Sequence, residues 1–384
     1  MLGRIDGARR GRRYQTVTNP DKLRLAFALP GFHRFDRGAE VALLAIASEL
    51  ARGGDEVTVF GSGDDRPDAP YVFRRVSSIR RERFESFPSF PPFRSETAWE
   101  DATFVPGLLA SFDPGAFDAA ITCSFPFTHW ALRRPSRSRP LNIFVTQNGD
   151  WPAIAANSEY RSFACDGLVC TNPDYFERNR ERWECELIPN GVDLERFYAG
   201  PDERKRFGIP ENRPVVLMVS AFIETKRVLD GIRAVAELDD VFLVVAGDGP
   251  LRDEGQALAD RLLPERFLRL SLAASDMPAL YRSADAFLHL SLLESFGNVF
   301  IEAWASGLPV IGHDTERLRW ILGDNTDYLC DTEDRPALVA TIARAVAAGR
   351  KSEGAVAGIE RFAWPTIAAQ YRRFINQLAG SASR

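Results

Sequence analysis

The sequence Glu294-Ser-Phe-Gly-Asn-Val-Phe-Ile-Glu302 decides the fold. The apolar run 284–293 directly before it is typical of a buried parallel strand. Residues 298–306 have the pattern of a helix, which Gly307 ends, and residues 308–311 begin the next strand. The order strand, loop, helix, strand predicts an α/β fold built on parallel sheets.

The two glutamates of this stretch are predicted to lie at the ligand-binding edge of the sheet. Glu294 falls in the loop at the carboxyl end of a strand, and Glu302 falls about one turn inside the helix. Ligands of open α/β sheets bind at that edge, and an ionised carboxylate only accepts hydrogen bonds, which suits the hydroxyls of a ribose or a hexose. Taken singly, Glu294 is also typical of a solvated loop, and Glu302 of a carboxylate stabilised by the helix dipole. Their combined pattern favours a sugar-nucleotide site.

The start of the same helix is a second feature of the predicted site. Backbone N–H groups at a helix start have no partner within the helix, so they favour an anion such as a diphosphate. The predicted amides are those of Phe296, Gly297, Asn298 and Val299. Because Gly297 has no Cβ, a ligand can approach the backbone closely there.

Length and composition predict two globular domains. A chain of 384 residues is too long for one ordinary core. Its 45% hydrophobic and 26% charged residues are typical of a soluble globular protein. The net charge of −5 gives no overall attraction to nucleic acid, so we expect no nucleic-acid partner.

Cysteine, histidine and apolar-run patterns predict the compartment. Five cysteines without a CxxC pair are typical of thiols in a reducing cytoplasm. The four histidines lie far apart, so no metal-site spacing is visible and no metal is expected. No apolar stretch approaches the roughly 20 residues of a membrane span, and the amino terminus lacks the apolar middle of a signal peptide. We therefore expect a cytoplasmic protein.

Alternating strand and helix patterns divide the chain into four predicted parts. Residues 1–21 form a basic tail, expected to be disordered, with a weak contact to anionic lipid as the alternative. Residues 22–193 and 194–363 form two Rossmann-like domains, and residues 364–384 form a helix that packs across the domain junction. The loop 30–38 lacks G-x-G-x-x-G, so the dinucleotide fingerprint is absent. Two such domains facing each other would leave a ligand-binding cleft between the carboxyl ends of their strands.

Residues 71–99 combine arginines with aromatic residues and prolines. The functional interpretation is a loop that contacts an acceptor or a membrane, with aromatic anchors (Phe84 to Trp99) over a basic edge. The alternative is a loop packed on its own domain. Pro88, Pro91 and Pro92 exclude a regular amphipathic helix there, which favours the alternative.

Four motifs give the chain a resemblance to a known family. They are Asp36-Arg-Gly-Ala-Glu40, Ile188-Pro-Asn-Gly-Val-Asp-Leu-Glu-Arg-Phe197, Val245-Ala-Gly-Asp-Gly-Pro250, and Glu294-x7-Glu302 with the following Ala303-Trp-Ala-Ser-Gly-Leu-Pro-Val310. Over roughly residues 23–375 the chain resembles the retaining family 4 glycosyltransferases of the GT-B fold. The resemblance implies two Rossmann-like domains facing across a cleft, the first for the acceptor and the second for a nucleotide diphosphate sugar.

The resemblance also implies roles for individual residues. Lys226 would lie on the donor diphosphate, with Arg227 assisting. The alternative for Arg227 is a solvated surface arginine. Glu294 would hold donor-sugar hydroxyls near the reacting carbon, Glu302 would bind the ribose, and the helix-start amides would hold sugar and phosphate. Gly38 would let the loop of the first domain approach the diphosphate.

Three departures from the family pattern bear on these roles. Ala221 stands where an arginine usually precedes the lysine by five positions. Gln147-Asn148-Gly149-Asp150 stands where many relatives carry a histidine over the donor sugar. His313-Asp314-Thr315-Glu316 replaces a Gly-Gly turn.

The resemblance implies transfer of a hexose-type sugar from a nucleotide diphosphate sugar to a hydroxyl of a glycan, lipid-linked or small-molecule acceptor, with retention of configuration. The leaving diphosphate would take the acceptor proton, and Asp150 is the candidate for assisting the acceptor. No D-x-D motif is present, so Lys226 and backbone amides, with Arg227 as a further candidate cation, would replace a divalent ion, and no cofactor is expected. The product would belong to cell-surface glycan or glycolipid synthesis, at the inner face of the membrane.

Two other functions stay open at this point. One is a sugar-nucleotide epimerase or phosphorylase on the same scaffold. The other is a non-catalytic subunit that binds a nucleotide sugar, which Ala221 and the missing histidine suggest.

Overall fold

The computed structural model describes residues 22–136, 139–351 and 356–382. Within these ranges the chain forms two α/β units. The first unit runs to Pro189 and includes the chain again from Ile367, and the second unit is Asn190–Thr366. The predicted basic tail, 1–21, lies outside the described residues.

In the described part of the first unit, seven parallel strands form one sheet. The strands are β1 (Arg24–Ala28), β2 (Glu56–Gly61), β3 (Val72–Arg75), β4 (Ala119–Thr122), β5 (Leu141–Val145), β6 (Gly167–Cys170) and β7 (Cys185–Leu187). Their order is β3-β2-β1-β4-β5-β6-β7. The helices that accompany them are α1 (Gly38–Arg52), α2 (Glu96–Ser111), α3 (Phe127–Leu132), α4 (Trp151–Ile154) and α5 (Pro173–Asn179).

The described residues of the second unit form a sheet of six parallel strands. These are β8 (Val215–Val219), β9 (Phe242–Ala246), β10 (Phe267–Leu270), β11 (Ala286–His289), β12 (Val310–His313) and β13 (Leu329–Cys330), in the order β10-β9-β8-β11-β12-β13. Its helices are α6 (Arg204–Phe207), α7 (Val228–Ala236), α8 (Arg252–Leu262), α9 (Met277–Arg282), α10 (Asn298–Ala305), α11 (Glu316–Leu322) and α12 (Arg335–Ala348). A last helix, α13 (Trp364–Ala382), returns the chain to the first unit.

The central strands form where the sequence is apolar without interruption. β8 reads Val-Val-Leu-Met-Val and β9 reads Phe-Leu-Val-Val-Ala, and all but the last residue of β8 are buried. A strand covered by helices on both faces requires such a run, because neither face meets water. The predicted α/β fold with two parallel sheets is therefore confirmed. The helix after Glu294 begins at its predicted residue, and the next strand begins two residues later than predicted, at Val310. The strand before Glu294 is shorter than the predicted run 284–293, because β11 covers only Ala286–His289.

The interpretation of residues 71–99 as one loop was wrong at both ends. Val72–Arg75 is the edge strand β3, and α2 begins at Glu96. β3 pairs with one neighbour only and its residues are mostly exposed, so no alternation of apolar and polar residues marks it.

The carboxyl-terminal helix was predicted from its periodicity and is confirmed. From Ile367 onward α13 groups with the first unit. Phe374 and Leu378 pack over Gly167 of β6, where an added Cβ would lie 2.5 Å from the Leu378 Cδ1 atom. Among the described residues, no helix is long and apolar enough to cross a membrane.

Candidate functional site

Two neighbouring loops of the second unit bring Lys226 and Glu294 together. β8 and β11 are adjacent parallel strands, so the loops that follow them leave the same edge of the sheet. The loop after β8 contains the 3-10 turn Glu224–Lys226, and the loop after β11 contains Glu294. The Lys226 ammonium forms an ion pair with Glu294 Oε1. The structure thus joins two residues that are 68 positions apart in the chain.

Glu294 is a mostly buried carboxylate held by two basic side chains. Its side chain is 15% exposed, and His289 Nε2 lies 2.8 Å from Oε1. Burial acts to raise the pKa of Glu294, but the hydrogen bond from His289 and the charge of Lys226 oppose it, and the pKa is lowered to about 2. Glu294 is therefore ionised at neutral pH, as an acceptor for ligand hydroxyls must be.

The amino terminus of α10 lies in the segment that follows Glu294. Gly297 is the N-cap residue, with a φ of +93° that residues with a side chain rarely adopt. No side chain of the described residues caps this helix, and Asn298 and Val299 supply its first backbone amides. Phe296 is 2% exposed and packs in the core, so only its backbone is offered to a ligand. The helix start is thus uncapped by side chains, and its role as an anion site stays a prediction.

Glu302 is anchored on the next turn of α10 by a tyrosine. The buried Tyr281 of α9 donates its hydroxyl to Glu302 Oε2 at 2.8 Å. Burial raises the pKa of Glu302, although this hydrogen bond acts in the opposite direction. Tyr281 therefore fixes one oxygen of the carboxylate, and no described residue hydrogen-bonds the other, Oε1.

Backbone packing explains the Val245–Pro250 motif. Gly247 and Gly249 have φ values of +156° and +153°. An added Cβ at Gly247 would lie 2.0 Å from the Ser220 carbonyl oxygen, and one at Gly249 would lie 2.7 Å from that of Phe222. The glycines let the loop after β9 pack directly against the loop that carries Lys226.

Two family models match the chain in succession. The model for glycosyltransferase family 4 matches residues 37–196, and the model for glycosyl transferases group 1 matches residues 200–356. The chain belongs to the group 1 glycosyltransferases. The predicted group 1 family is confirmed, whereas retention of configuration stays a prediction. The second match contains Lys226, Glu294 and Glu302.

Curated relatives of this group 1 glycosyltransferase include enzymes of glycolipid synthesis. Two lipopolysaccharide core biosynthesis glycosyltransferases of Rhizobium meliloti, LpsE and LpsD, are each 31% identical to it, over 188 and 224 residues. The matches cover 48% and 56% of this chain, and the chain spans 54% and 63% of the lengths of those relatives. A phosphatidyl-myo-inositol mannosyltransferase of Mycobacterium leprae is 30% identical over 53% of this chain and 58% of its own length.

Solved structures share the fold of this group 1 glycosyltransferase along most of the chain. Sucrose-phosphate synthase from Thermosynechococcus elongatus aligns with a TM-score of 0.74 at 21% identity, covering 94% of this chain and 100% of that structure. Anabaena HepE, solved with UDP and glucose, aligns with a TM-score of 0.63 at 18% identity, covering 92% and 100%. These likenesses support the GT-B fold.

Arg227, predicted to assist at the donor diphosphate, has a structural position instead. Its guanidinium donates to the Thr332 carbonyl oxygen at 2.8 Å and to the Thr332 hydroxyl at 3.0 Å, and its Nε donates to Asp230 at 3.1 Å. The residue also takes a φ of +53° directly before α7. With these donors already engaged, Arg227 fixes the turn that ends at Lys226.

Asp150, predicted to assist the acceptor, is an internal ion-pair partner in the first unit. Arg178 donates to both of its oxygens at 3.0 and 3.1 Å, and the Asn179 amide donates to one at 2.9 Å. Asp150 is 4% exposed. These contacts favour a structural role that ties α4 to α5 over the predicted catalytic role.

Gly38 is the first residue of α1, in the first unit. It follows the loop at the carboxyl end of β1, and no side chain of the described residues caps this helix. Its role toward a donor diphosphate stays a prediction.

Four residues of the site were not predicted from the sequence: His289, Ser220, Tyr281 and Arg317. His289 carried a usable signal, because it is a histidine at the end of an apolar strand, five residues before Glu294. Ser220 and Tyr281 carried none, since each reaches the site from a different element.

Arg317 brings a second cation to the Glu294 loop, although Ala221 occupies the usual arginine position. Its guanidinium donates to the backbone carbonyl oxygen of Glu294. Arg317 belongs to α11, which begins where the family has a Gly-Gly turn. Here Thr315 caps the helix by accepting a hydrogen bond from the Leu318 amide at 3.2 Å.

Proposed function

We propose that this group 1 glycosyltransferase moves a hexose-type sugar from a nucleotide diphosphate sugar to an acceptor hydroxyl, with retention of configuration. The observation that carries the proposal is the Lys226–Glu294 pair followed by the uncapped start of α10. The names of LpsE and LpsD support a glycan or glycolipid product, and HepE with bound UDP supports a nucleotide donor.

The charges of the site suit the demands of this reaction. A leaving diphosphate needs more than a helix terminus, which contributes roughly 0.3–1 kcal/mol toward an anion. Lys226 adds a full positive charge, and Glu294 supplies an acceptor for sugar hydroxyls. Attack on the face of the leaving group, with a diphosphate oxygen taking the acceptor proton, would give retention.

A thermal-shift screen against nucleotide sugars tests the proposed donor. A ligand that binds only the folded protein raises its Tm, by an amount equivalent to about 2.7 kcal/mol at 100 times Kd. We expect one or two nucleotide diphosphate sugars to raise Tm, and the matching nucleoside monophosphate to do so less. If no nucleotide sugar shifts Tm, the proposal fails. Binding without turnover on any acceptor would instead identify a non-catalytic subunit.

We also propose that catalysis needs no metal, since Lys226 provides the charge that a divalent ion would supply. EDTA is expected to leave the rate unchanged within error. One group of three candidate ligands exists in the described residues, His313, Asp331 and Glu333, but the Thr332 amide donates to the imidazole Nδ1 atom of His313 at 3.2 Å. A large loss of rate in EDTA that manganese restores would refute metal independence.

The first unit carries an aromatic surface that suits contact with a membrane. Phe93 stacks on Trp99 of α2 at 4.0 Å, while Phe87 and Phe90 are 47% and 43% exposed. Exposed arginines precede these rings in the chain: Arg74, Arg75, Arg80 and Arg83. Exposed aromatic and basic side chains in one segment of the chain favour an anionic lipid interface, so we propose peripheral binding at the inner face of the membrane.

Vesicle sedimentation tests this contact. The double variant Phe87→Ser, Phe90→Ser is expected to bind vesicles containing phosphatidylglycerol at least about tenfold more weakly. The reason is that burial of each phenyl ring contributes roughly 1.5–3 kcal/mol to the free energy of binding. Ile154→Ser, at a 42% exposed residue of the same unit, is the matched control. Two results would contradict an anionic-lipid surface here. One is equal vesicle binding by wild type, the double variant and Ile154→Ser. The other is wild-type binding to pure phosphatidylcholine vesicles that is as strong as binding to vesicles containing phosphatidylglycerol.

A further inference from the structure

His289 is fixed within the core beneath the site. It is the last residue of β11 and is 2% exposed. Its ring meets Phe300 edge-on, with centroids 5.0 Å apart and an interplanar angle of 85°, and lies parallel to Phe287. Since aromatic rings border it on two sides, the imidazole plane has one orientation.

Both ring nitrogens of His289 are hydrogen-bonded. Nε2 lies 2.8 Å from Glu294 Oε1, and Nδ1 lies 3.1 Å from the Ser220 hydroxyl. An ionised carboxylate can only accept, so the Nε2 proton points at Glu294. In the neutral ring Nδ1 then accepts from the Ser220 hydroxyl, and Ser220 selects the tautomer that Glu294 needs.

The two oxygens of Glu294 are used differently. His289 and Lys226 both contact Oε1. Within the described residues, no hydrogen bond is made to Oε2. A carboxylate held at one oxygen by two donors, one of them rigid, presents its other oxygen in a fixed direction.

We propose that His289 is a positioning residue for the glycosyl transfer: together with Ser220 it fixes Glu294 so that Oε2 accepts a hydroxyl of the donor sugar. This inference rests on the proposed function. Neither His289 nor Ser220 touches the donor. Their effect passes through the orientation and charge of Glu294, while Lys226 faces the diphosphate.

Three substitutions at one position separate positioning from packing. In His289→Gln the side-chain amide nitrogen can replace Nε2 as the donor to Glu294, whereas in His289→Asn the amide reaches only the place of Nδ1. His289→Phe keeps the ring and loses both bonds. We expect the glutamine variant to retain kcat within about threefold, and the other two to lose about 30-fold or more, with similar Tm values for the asparagine and glutamine variants. Equal losses in the glutamine and asparagine variants would overturn the proposal.

The pH profile provides a readout that a purely structural residue would not change. The groups facing Glu294 are His289 from β11, Lys226 from the loop after β8, and Arg317 from α11 on its carbonyl oxygen. Without His289, burial acts on the carboxylate with less opposition, and the acid limb of kcat/KM for the donor should move upward by about one pH unit or more in His289→Asn. If the acid limb of kcat/KM lies at the same pH in wild type and in His289→Asn, the proposal is contradicted.

Nitrogen NMR of the imidazole rings tests the geometry without any substrate. The chain has four histidines, and His289→Gln identifies the signal by its loss. We expect the Nε2–H form, protected from exchange with water, and the Nδ1–H form would overturn the proposal. If wild type turns over a donor while His289→Asn matches it in rate and pH profile, the positioning role fails and the proposed function stands. If the Nε2–H form is present but wild type binds no nucleotide sugar, the proposed function fails, and the positioning role with it.

Discussion

Glu294→Gln is expected to lower kcat by about 100- to 1,000-fold, the range for loss of one well-placed charged or hydrogen-bonding group in an active site. Glutamine keeps the shape of the side chain but carries no charge. It accepts through one atom only, so it cannot hold His289 and Lys226 and also present a second acceptor to a sugar hydroxyl. Single-turnover rates with the donor found by thermal shift measure this loss.

The control for this substitution is Glu211→Gln. Glu211 also pairs with a lysine in the second unit, Lys205, but at the surface, where its side chain is 59% exposed. Its loss should leave kcat within twofold, because exposed ion pairs contribute about 0–1 kcal/mol. Near-full activity of Glu294→Gln with a normal Tm would show that Glu294 does not contact the reacting sugar.

Lys226→Met is expected to lower kcat/KM for the donor by about 100-fold or more and to weaken binding of the free nucleoside diphosphate. Methionine keeps much of the aliphatic chain and removes the charge, which in the proposed reaction stabilises the leaving diphosphate. The nucleoside monophosphate should lose less affinity, because it lacks the outer phosphate. Calorimetric titration of wild type and variant with both nucleotides measures the difference.

Lys205→Met is the matched control for charge removal, since Lys205 is 85% exposed. The double variant Lys226→Met, Glu294→Gln adds a further check. Because the two side chains contact each other, their losses should combine to clearly less than the product of the single effects. If the loss in the double variant equals the product of the two single losses, the residues act independently, and a shared site is contradicted.

The sequence by itself determined the α/β fold, and it predicted where along the chain the proposed site lies. Uninterrupted apolar runs such as β8 and β9 specify buried parallel strands, because their helix-covered faces exclude polar side chains. The Glu294–Glu302 spacing placed one acid in a loop and the other in a helix, since a strand, a glycine and a helical pattern follow in fixed order. These signals depend on residues that are close together in the chain, so they can be recognised from the sequence alone.

Tertiary structure alone decided which side chains meet. Arg227 and Asp150 have the chemistry of site residues, yet Thr332 and Arg178 already engage them. A hydrogen bond forms only when donor and acceptor atoms lie about 3 Å apart. The order of residues in the chain does not show which distant residue comes that close.

The same reason applies to the residues that sequence reasoning missed. Ser220 reaches His289 across 69 positions because β8 and β11 are neighbours in the sheet. The order of strands across a sheet depends on how the whole chain packs its apolar faces. The sequence therefore specified the acids and the edge on which they lie, and the folded structure specified the partners that set their charge and direction.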